Sequence, residues 1–206
     1  MSVLKSMYRR ARWLAFWNSF QLPEINMAEL TPNADPVEPL ITEKLCLPPY
    51  EGPTDHDDAV PLFTLVRWLN PRIVLELGTA HGATAANICA ISDGKVYTVN
   101  ALPEQMEGHV VTFTLSKEEI GCVYRKHGFA DRVVQIYENT RKLDPTDHLP
   151  PHSVDFAIID ACHDADFVVN DFLRISPVLP ERSIVLFHDV HPSMRGHLRD
   201  SYIACM

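Results

Sequence analysis

The chain has 206 residues, 46% of them hydrophobic, and a formal net charge of −9. This length predicts one main domain with a sizeable core, and the negative charge argues against a general nucleic-acid-binding protein. No apolar run approaches the ~20 residues that are needed to span a bilayer. Five cysteines, an odd number with no Cys-x-x-Cys pair, favour reduced thiols and a cytoplasmic location over a disulfide framework.

Residues 1–54 are predicted to form a helix and an arm, followed by the main domain in residues 55–206. Basic and aromatic residues interleave in residues 1–22 without any acidic residue, which is typical of a helix that packs on the domain or on a partner subunit. A membrane-surface helix or a transit peptide is the alternative. Seven of the sixteen prolines lie in residues 32–61, and this density predicts an extended arm or lid.

From residue 55 onward, helical and strand patterns alternate. Pro61 is tolerated only in a first helical turn, so a helix is predicted from Asp57 or Asp58, which cap it, to about Leu69. Strands are then predicted at residues 73–77, 95–100, 131–140, 154–160 and 183–189, with helices after residue 82 and at residues 116–128 and 166–175. The alternation favours right-handed crossovers and a parallel sheet, which is an α/β doubly wound fold.

A glycine turn follows the first strand, in the sequence Glu76-Leu-Gly-Thr-Ala-His-Gly82. Gly78 and Gly82 allow a tight turn and a close approach of the backbone to a ligand, and the N–H groups of the next helix face the same place. A larger residue at position 78 is therefore expected to block a ligand and to leave the fold largely intact. The glycine spacing alone fits an ordinary turn equally well, and it differs from that of dinucleotide binders.

Polar or flexible residues are predicted at the carboxyl ends of all five strands. Open α/β sheets bind their ligands beyond these ends. The residues are Glu76, Gly78, Asn100, Asn139, Asp160 and Asp189. Packing does not explain this set, so the sequence predicts a binding site at this edge of the sheet.

These residues belong to a series of motifs: Glu76–Gly82, Tyr97–Asn100, Ile120-Gly121 with Tyr124-Arg125, Ile159–His163, Asn170-Asp171 and Phe187–Asp189. Over about residues 55–195 the series resembles the class I S-adenosylmethionine-dependent methyltransferases. The branch is that of the small-molecule O-methyltransferases related to the cephalosporin-hydroxylase and macrocin-type sugar enzymes (methyltransferase family 24-like). The resemblance implies a Rossmann-like sheet, S-adenosylmethionine as cofactor, and a hydroxyl of a sugar, polyketide or phenol as methyl acceptor.

The resemblance also implies which residues bind the cofactor. They are Glu76, Gly78, Thr79, His81, Gly82, Asn100 and Asn139. The two glycines would border the methionine part, and Glu76 would lie near its ammonium group. Asn100 stands where the family usually has an acid that binds both ribose hydroxyls, and its amide carries no charge. Asn139 would contact the adenine edge, or would only cap a loop.

A metal site is implied at the ends of the fourth and fifth strands. Asp160 and Asp189 would bind a divalent ion, and His163 would act as general base beside Asp160. Oxygen ligands suit Mg²⁺, whereas the nitrogen of His188, the residue before Asp189, suits Mn²⁺, Fe²⁺ or Zn²⁺ better. Either His188 is not a ligand or the metal is not Mg²⁺. The alternative is that the carboxylates only cap turns and that His163 is an exposed loop residue.

Only residues 191–206 follow the fifth strand, whereas members of this class have two further strands there. The sequence therefore predicts a sheet without the last two strands, an open edge at residues 184–187, and a homo-oligomer. Two further readings stay open at this point. One is a non-catalytic or partner-dependent methyltransferase-like protein. The other is a nucleotide-cofactor oxidoreductase, which the glycine spacing and Asn100 disfavour.

Overall fold

The computed structural model describes residues 25–42, 46–47, 50–51, 56–106, 114–190 and 205. The predicted helix in residues 1–22 lies outside these ranges. The helices are α1 (Met27–Leu30), α2 (His56–Leu69), α3 (Ala83–Ile91), α4 (Cys122–Lys126) and α5 (Ala165–Ile175). The strands are β1 (Cys46–Leu47), β2 (Tyr50–Glu51), β3 (Ile73–Leu77), β4 (Lys95–Asn100), β5 (Val133–Tyr137), β6 (Phe156–Ile159) and β7 (Ile184–Phe187). None of the described helices is long and apolar enough to cross a membrane.

The main sheet is parallel throughout, with the strand order β5-β4-β3-β6-β7. The chain passes from β3 outward to β5, and then returns to the other side of β3 for β6 and β7. The strand order reverses between β3 and β6, and such a switch point is where open α/β sheets bind ligands. The predicted α/β doubly wound fold is confirmed, and β7 is the edge strand of the described sheet. β1 and β2 form a separate antiparallel pair.

Successive side chains of a strand point to opposite faces of the sheet. Both faces of this sheet carry apolar side chains, and helices cover both of them. One face packs against α2, α3 and α4, and its core includes Val74, Val96, Val133, Phe156 and Ile158. The other face packs against α5, and its core includes Leu75, Leu77, Val99, Ile159 and Val168. Both faces of β3 are therefore buried, which explains its nearly continuous apolar sequence.

The arm is attached to the first of these faces at residues 37–41. The side chain of Asn87 on α3 accepts hydrogen bonds from the N–H groups of Leu40 and Ile41, and its amide donates to the carbonyl of Ile41. The hydroxyl of Thr64 on α2 accepts from the N–H of Val37. No helix or strand forms within residues 32–42, and Ile41 lies in the core. Further along the predicted arm of residues 32–61, β1 pairs with β2 and α2 begins at His56.

Two predicted helices differ from the structure. α2 begins at His56, slightly before the predicted start, so that Pro61 lies inside the helix. The predicted helix 116–128 is reduced to the five residues of α4, because Gly121 adopts a left-handed conformation with a φ of 71° and interrupts it. Before this glycine, Ser116 and Glu119 bond each other's backbone N–H groups through their side chains, as in a capping box.

Candidate functional site

The glycine turn between β3 and α3 is held against the end of β4. The N–H groups of Gly78 and Thr79 donate to the carbonyl of Val99, at 2.9 and 3.2 Å. Ala80, which has the unusual φ of 46°, donates its N–H to Oδ1 of Asn100 at 3.1 Å. The side chain of Asn100 therefore stabilises a backbone conformation that residues with a Cβ rarely adopt.

Gly78 is packed against the backbone that leaves β6. A Cβ built at Gly78, where φ is +105°, would lie 1.8 Å from the carbonyl oxygen of Asp160. The N–H of Asp160 donates to the carbonyl of Leu77 at 2.8 Å in the same place. The expectation that a larger residue at position 78 leaves the fold intact is therefore wrong, because the neighbouring backbone already occupies the space that a Cβ would need.

The far end of the turn contacts the segment that opens α4. The N–H of Gly121 donates to the carbonyl of Ala80, and that of Val123 donates to the carbonyl of His81, both at 2.9 Å. A Cβ at Gly82 would lie 2.6 Å from the ring of Tyr124. Partial burial lowers the pKa of His81, and Glu119 opposes this shift.

Glu76 lies beneath the turn and is only 2% exposed. Its Oε2 accepts a hydrogen bond of 2.5 Å from the hydroxyl of Thr98. Burial raises the pKa of Glu76 to about 8, the Thr98 hydrogen bond opposes this shift, and the charge of Asp160 adds to it. A positively charged group placed beside this carboxyl would favour its ionised form.

Two other predicted cofactor residues use their side chains within the protein. The hydroxyl of Thr79 is buried against that of Thr98, at 2.7 Å, and the carbonyl of Thr79 accepts from the N–H of Gly82 at 2.7 Å. Nδ2 of Asn139 donates to the carbonyl of Gln105, and Oδ1 accepts from the N–H of Arg141. Asn139 thus caps a loop, which was the alternative to an adenine contact.

Asp160, His163 and Asp189 converge beyond the ends of β6 and β7. One potential ligand atom from each lies within 4.8 Å of the other two. Nε2 of His163 is 3.0 Å from Oδ2 of Asp189 and 3.5 Å from Oδ1 of Asp160. Asp189 has a φ of 58°, a conformation that asparagine and aspartate adopt more readily than most residues.

His188 lies on the other side of the two carboxylates. Its Nδ1 is 3.2 Å from Oδ1 of Asp160 and 3.3 Å from Oδ1 of Asp189. Burial lowers the pKa values of His163 and His188, but the two carboxylates outweigh it and raise them to about 9 and about 10. The histidines in turn lower the pKa values of both carboxyl groups against the effect of burial. The two carboxylates therefore favour the protonated form of both histidines.

Asp58 is a site residue that the sequence did not indicate. It was predicted only to cap α2, but its Oδ2 lies 3.7 Å from Nε2 of His188. Thr98 was also missed, although a hydroxyl residue in a buried strand, two positions before Asn100, was a usable signal. No local pattern could connect Asp58 with His188, because the contact depends on how α2 packs beside β7.

Comparisons with known proteins agree with this geometry. The family described as a methyltransferase domain (methyltransferase family 24) matches residues 75–190. Similar solved structures include a putative caffeoyl-CoA O-methyltransferase from Staphylococcus aureus, with 17% identity, 74% of this chain and 73% of that chain covered, and a TM-score of 0.55. A putative O-methyltransferase from Klebsiella pneumoniae has 16% identity, coverages of 77% and 70%, and a TM-score of 0.56.

The O-methyltransferase TomG from Streptomyces achromogenes, solved in complex with S-adenosylmethionine, has 15% identity to this chain. The similarity covers 93% of this chain and 81% of that chain, with a TM-score of 0.53. No curated protein sequence matches the chain.

The fold and the matched family define a class I, Rossmann-like methyltransferase. The chain belongs to methyltransferase family 24, whose match covers more than half of its length. The predicted class, an S-adenosylmethionine-dependent methyltransferase, is thereby confirmed, and the oxidoreductase reading is set aside.

Proposed function

We propose that this chain transfers a methyl group from S-adenosylmethionine to a hydroxyl oxygen of a small molecule, with the help of a divalent cation. A sugar, a polyketide or a phenol is the proposed acceptor. The observation that carries the proposal is the convergence of Asp160, His163 and Asp189 next to the glycine turn, at the switch point of the sheet. The O-methyltransferase names of the similar structures support oxygen as the acceptor atom.

The glycine turn and Glu76 are proposed to hold the methionine part of the cofactor. The amino end of α3, whose N-cap residue Gly82 provides no side-chain cap, directs N–H groups toward the same place. Glu76 would pair with the ammonium group, and Asn100 would face the ribose from the end of β4. S-adenosylmethionine supplies a methyl group on a sulfonium, which is displaced in line by the acceptor oxygen.

The residues of the cluster fit a divalent cation. Asp160 and Asp189 would be its oxygen ligands, and His163 and His188 offer nitrogen atoms beside them. A divalent ion bound between the carboxylates would supply the positive charge that the histidines supply only when they are protonated. Carboxylates suit Mg²⁺, and a histidine ligand would favour Mn²⁺, Fe²⁺ or Zn²⁺. A bound cation would lower the pKa of an acceptor hydroxyl that it contacts.

His163 is proposed to accept the proton of the acceptor hydroxyl at Nε2. A general base works best when its pKa lies near the operating pH. The carboxylates hold the pKa of His163 at about 9 in the absence of a ligand, and a cation shared by the same carboxylates would lower it toward neutrality. Holding oxygen, carbon and sulfur in line would supply much of the remaining rate enhancement.

Calorimetry and a methyl-transfer assay test this proposal. The purified chain should bind S-adenosylmethionine and not NAD, and it should methylate at least one member of a panel of sugars, polyketides and phenols. Asp164→Asn is a matched control for changes at Asp160, because Asp164 is exposed and lies just before α5. Binding of the cofactor without transfer to any acceptor would support the non-catalytic or partner-dependent alternative.

We also propose a cytoplasmic homo-oligomer. β7 is the edge strand of the described sheet, and α5 exposes Val169, Phe172 and Leu173. The ring of Phe172 lies 5.9 Å from that of Phe187 on β7, so the apolar surface of α5 continues onto the edge strand. Surfaces of this kind mark contacts between chains.

A further inference from the structure

A row of polar side chains crosses the sheet beneath the glycine turn. Glu76 on β3 is the register partner of Thr98 on β4, and Thr98 is the register partner of Gln135 on β5. The preceding row on this face, two residues earlier in each strand, consists of three valines. A polar row within such a core needs an explanation, because buried polar groups stabilise only when they are hydrogen-bonded.

The hydrogen bonds of this row run in one direction and end at Glu76. Thr98 Oγ1 donates to Glu76 Oε2, and Thr79 Oγ1 lies 2.7 Å from Thr98 Oγ1. Nε2 of Gln135 donates to Thr79 Oγ1 at 2.9 Å. Because each hydroxyl has one proton, Thr98 accepts from Thr79, and Thr79 accepts from Gln135.

The outer end of the row is fixed by Tyr124. Its hydroxyl donates to Oε1 of Gln135 at 3.2 Å, so that the amide turns Nε2 toward Thr79. The ring of Tyr124 packs against Gly82 and Gly121, where a Cβ would approach it to 2.6 and 2.2 Å. The row is therefore held between Glu76, at the start of the glycine turn, and Tyr124 on α4, which packs against the same turn.

Packing does not account for Thr98. The residue is fully buried, and valine has the same shape and occupies the corresponding position in the preceding row. Its hydroxyl donates to Glu76 and accepts from Thr79, and valine can do neither. We propose that Thr98 is a positioning residue for the cofactor: its hydroxyl orients the Glu76 carboxylate and favours its ionised form, so that Glu76 can pair with the ammonium group of S-adenosylmethionine. This inference rests on the proposed function.

The charged and titratable groups that face Glu76 come from three elements. Asp160 follows β6, Cys89 lies on α3, and Tyr124 lies on α4. Burial raises the pKa of Cys89 to about 11 and also raises that of Tyr124, whereas the pKa of Asp160 is lowered. Between about pH 6 and 8, Glu76 is the member of this group of four whose charge changes, since its pKa is about 8.

The test compares two ligands and two variants. S-adenosylhomocysteine carries the ammonium group, whereas 5′-methylthioadenosine has the same nucleoside without it. Thr98→Val should weaken binding of S-adenosylhomocysteine by roughly ten- to a hundredfold, the range for a hydrogen bond to a charged group, and should leave binding of 5′-methylthioadenosine unchanged. Thr98→Ser, which keeps the hydroxyl, should restore the affinity.

The pH dependence gives a second readout. In the unchanged protein, affinity for S-adenosylhomocysteine should rise between about pH 6 and 8, because neutral Glu76 must lose a proton to pair with the ammonium group. In Thr98→Val this rise should move to higher pH. If that variant does not fold, Thr98→Ala removes the same hydroxyl and leaves a smaller side chain.

The two hypotheses fail in distinguishable ways. A protein that binds S-adenosylhomocysteine equally well with and without the Thr98 hydroxyl overturns the positioning role and leaves the proposed function intact. Equal losses for both ligands would show a general structural effect and would also overturn it. If the protein without any substitution binds neither S-adenosylhomocysteine nor 5′-methylthioadenosine, both the proposed function and this inference are overturned.

Discussion

Replacing Gly78 by alanine should destabilise the protein far more than the same change at Gly128. Both glycines have positive φ values, of +105° and +80°, so both substitutions introduce backbone strain of ~1–2 kcal/mol. A Cβ at Gly128 has no other atom within 4 Å, whereas a Cβ at Gly78 would lie 1.8 Å from the Asp160 carbonyl oxygen. The difference in stability between the two variants therefore measures the cost of placing a Cβ at Gly78 against the backbone of Asp160.

The size of the effect follows from the distances. The Cβ and the oxygen need at least 3.0 Å, so β3 and β6 must separate locally by at least 1.2 Å, the difference from 1.8 Å. Such overpacking costs ~1–3 kcal/mol. The hydrogen bonds from Asp160 to Leu77 and from Gly78 to Val99 would be weakened, at ~1 kcal/mol each. The expected loss is roughly 4–7 kcal/mol at Gly78, against ~1–2 kcal/mol at Gly128.

Urea unfolding of the two variants measures this difference. A loss of this size is a large fraction of a typical stability of ~5–15 kcal/mol, so Gly78→Ala should have a much lower midpoint or be unfolded. Its affinity for S-adenosylmethionine should fall as well, because the shift displaces Asp160 and the turn together. Equal midpoints for the two variants would refute the reasoning, since they would mean that Asp160 moves aside at little cost.

Four further predictions concern the site and the assembly. Glu76→Gln should stabilise the ligand-free protein at pH 8: the folded state keeps its proton up to a pKa of about 8 instead of 4.5, so the stability that this group contributes falls as pH rises between these values. The gain in the free energy of unfolding is at most roughly 5 kcal/mol. Thermal unfolding of both proteins at pH 5 and pH 8 measures it, and the same pH dependence of stability in both would contradict the prediction. Asp160→Asn, or exhaustive chelation, should lower methyl transfer by orders of magnitude, and full activity after chelation would exclude a metal role. Asn100→Asp should tighten binding of S-adenosylmethionine in calorimetry through a charge-assisted hydrogen bond to the ribose. The substitution also removes the hydrogen bond from Asn100 to the Ala101 carbonyl, at a cost of ~1 kcal/mol. Equal affinity of the two proteins would show that residue 100 does not contact the ribose. Sedimentation of the purified chain should show a homo-oligomer, and a thermally robust, active monomer would contradict this.

The sequence was sufficient for the sheet and for the order of its strands along the chain. β4 was predicted to the residue, and β3 is recognisable because a strand buried on both faces is apolar at nearly every position. The predicted helix at residues 116–128 failed for a local reason, because Gly121 takes a left-handed conformation to approach the glycine turn. That approach is a tertiary contact, so helical periodicity could not reveal it.

The candidate site also has residues that the local sequence indicates and residues that only tertiary contacts bring into it. Asp160 and Asp189 were predictable, because each follows an apolar strand and parallel strands end at the same edge of a sheet. The pairing of Thr98 with Glu76 depends on the register of β3 and β4, which the sequence does not specify by itself. The contact between Asp58 and His188 depends on how a helix packs beside a distant strand.

The hydrogen bonds of Asn87 should couple the evolution of the arm, residues 37–41, to that of α3. Oδ1 of the buried Asn87 amide accepts from Leu40 and Ile41, so a homologue without residues 37–41 would retain an amide oxygen without a donor inside its core. A descendant that first replaced Asn87 with an apolar residue would leave the N–H groups of the arm without their acceptor. Each change alone is costly, and only both together restore a satisfied interior. We therefore expect position 87 and the arm to be inherited or lost as one unit.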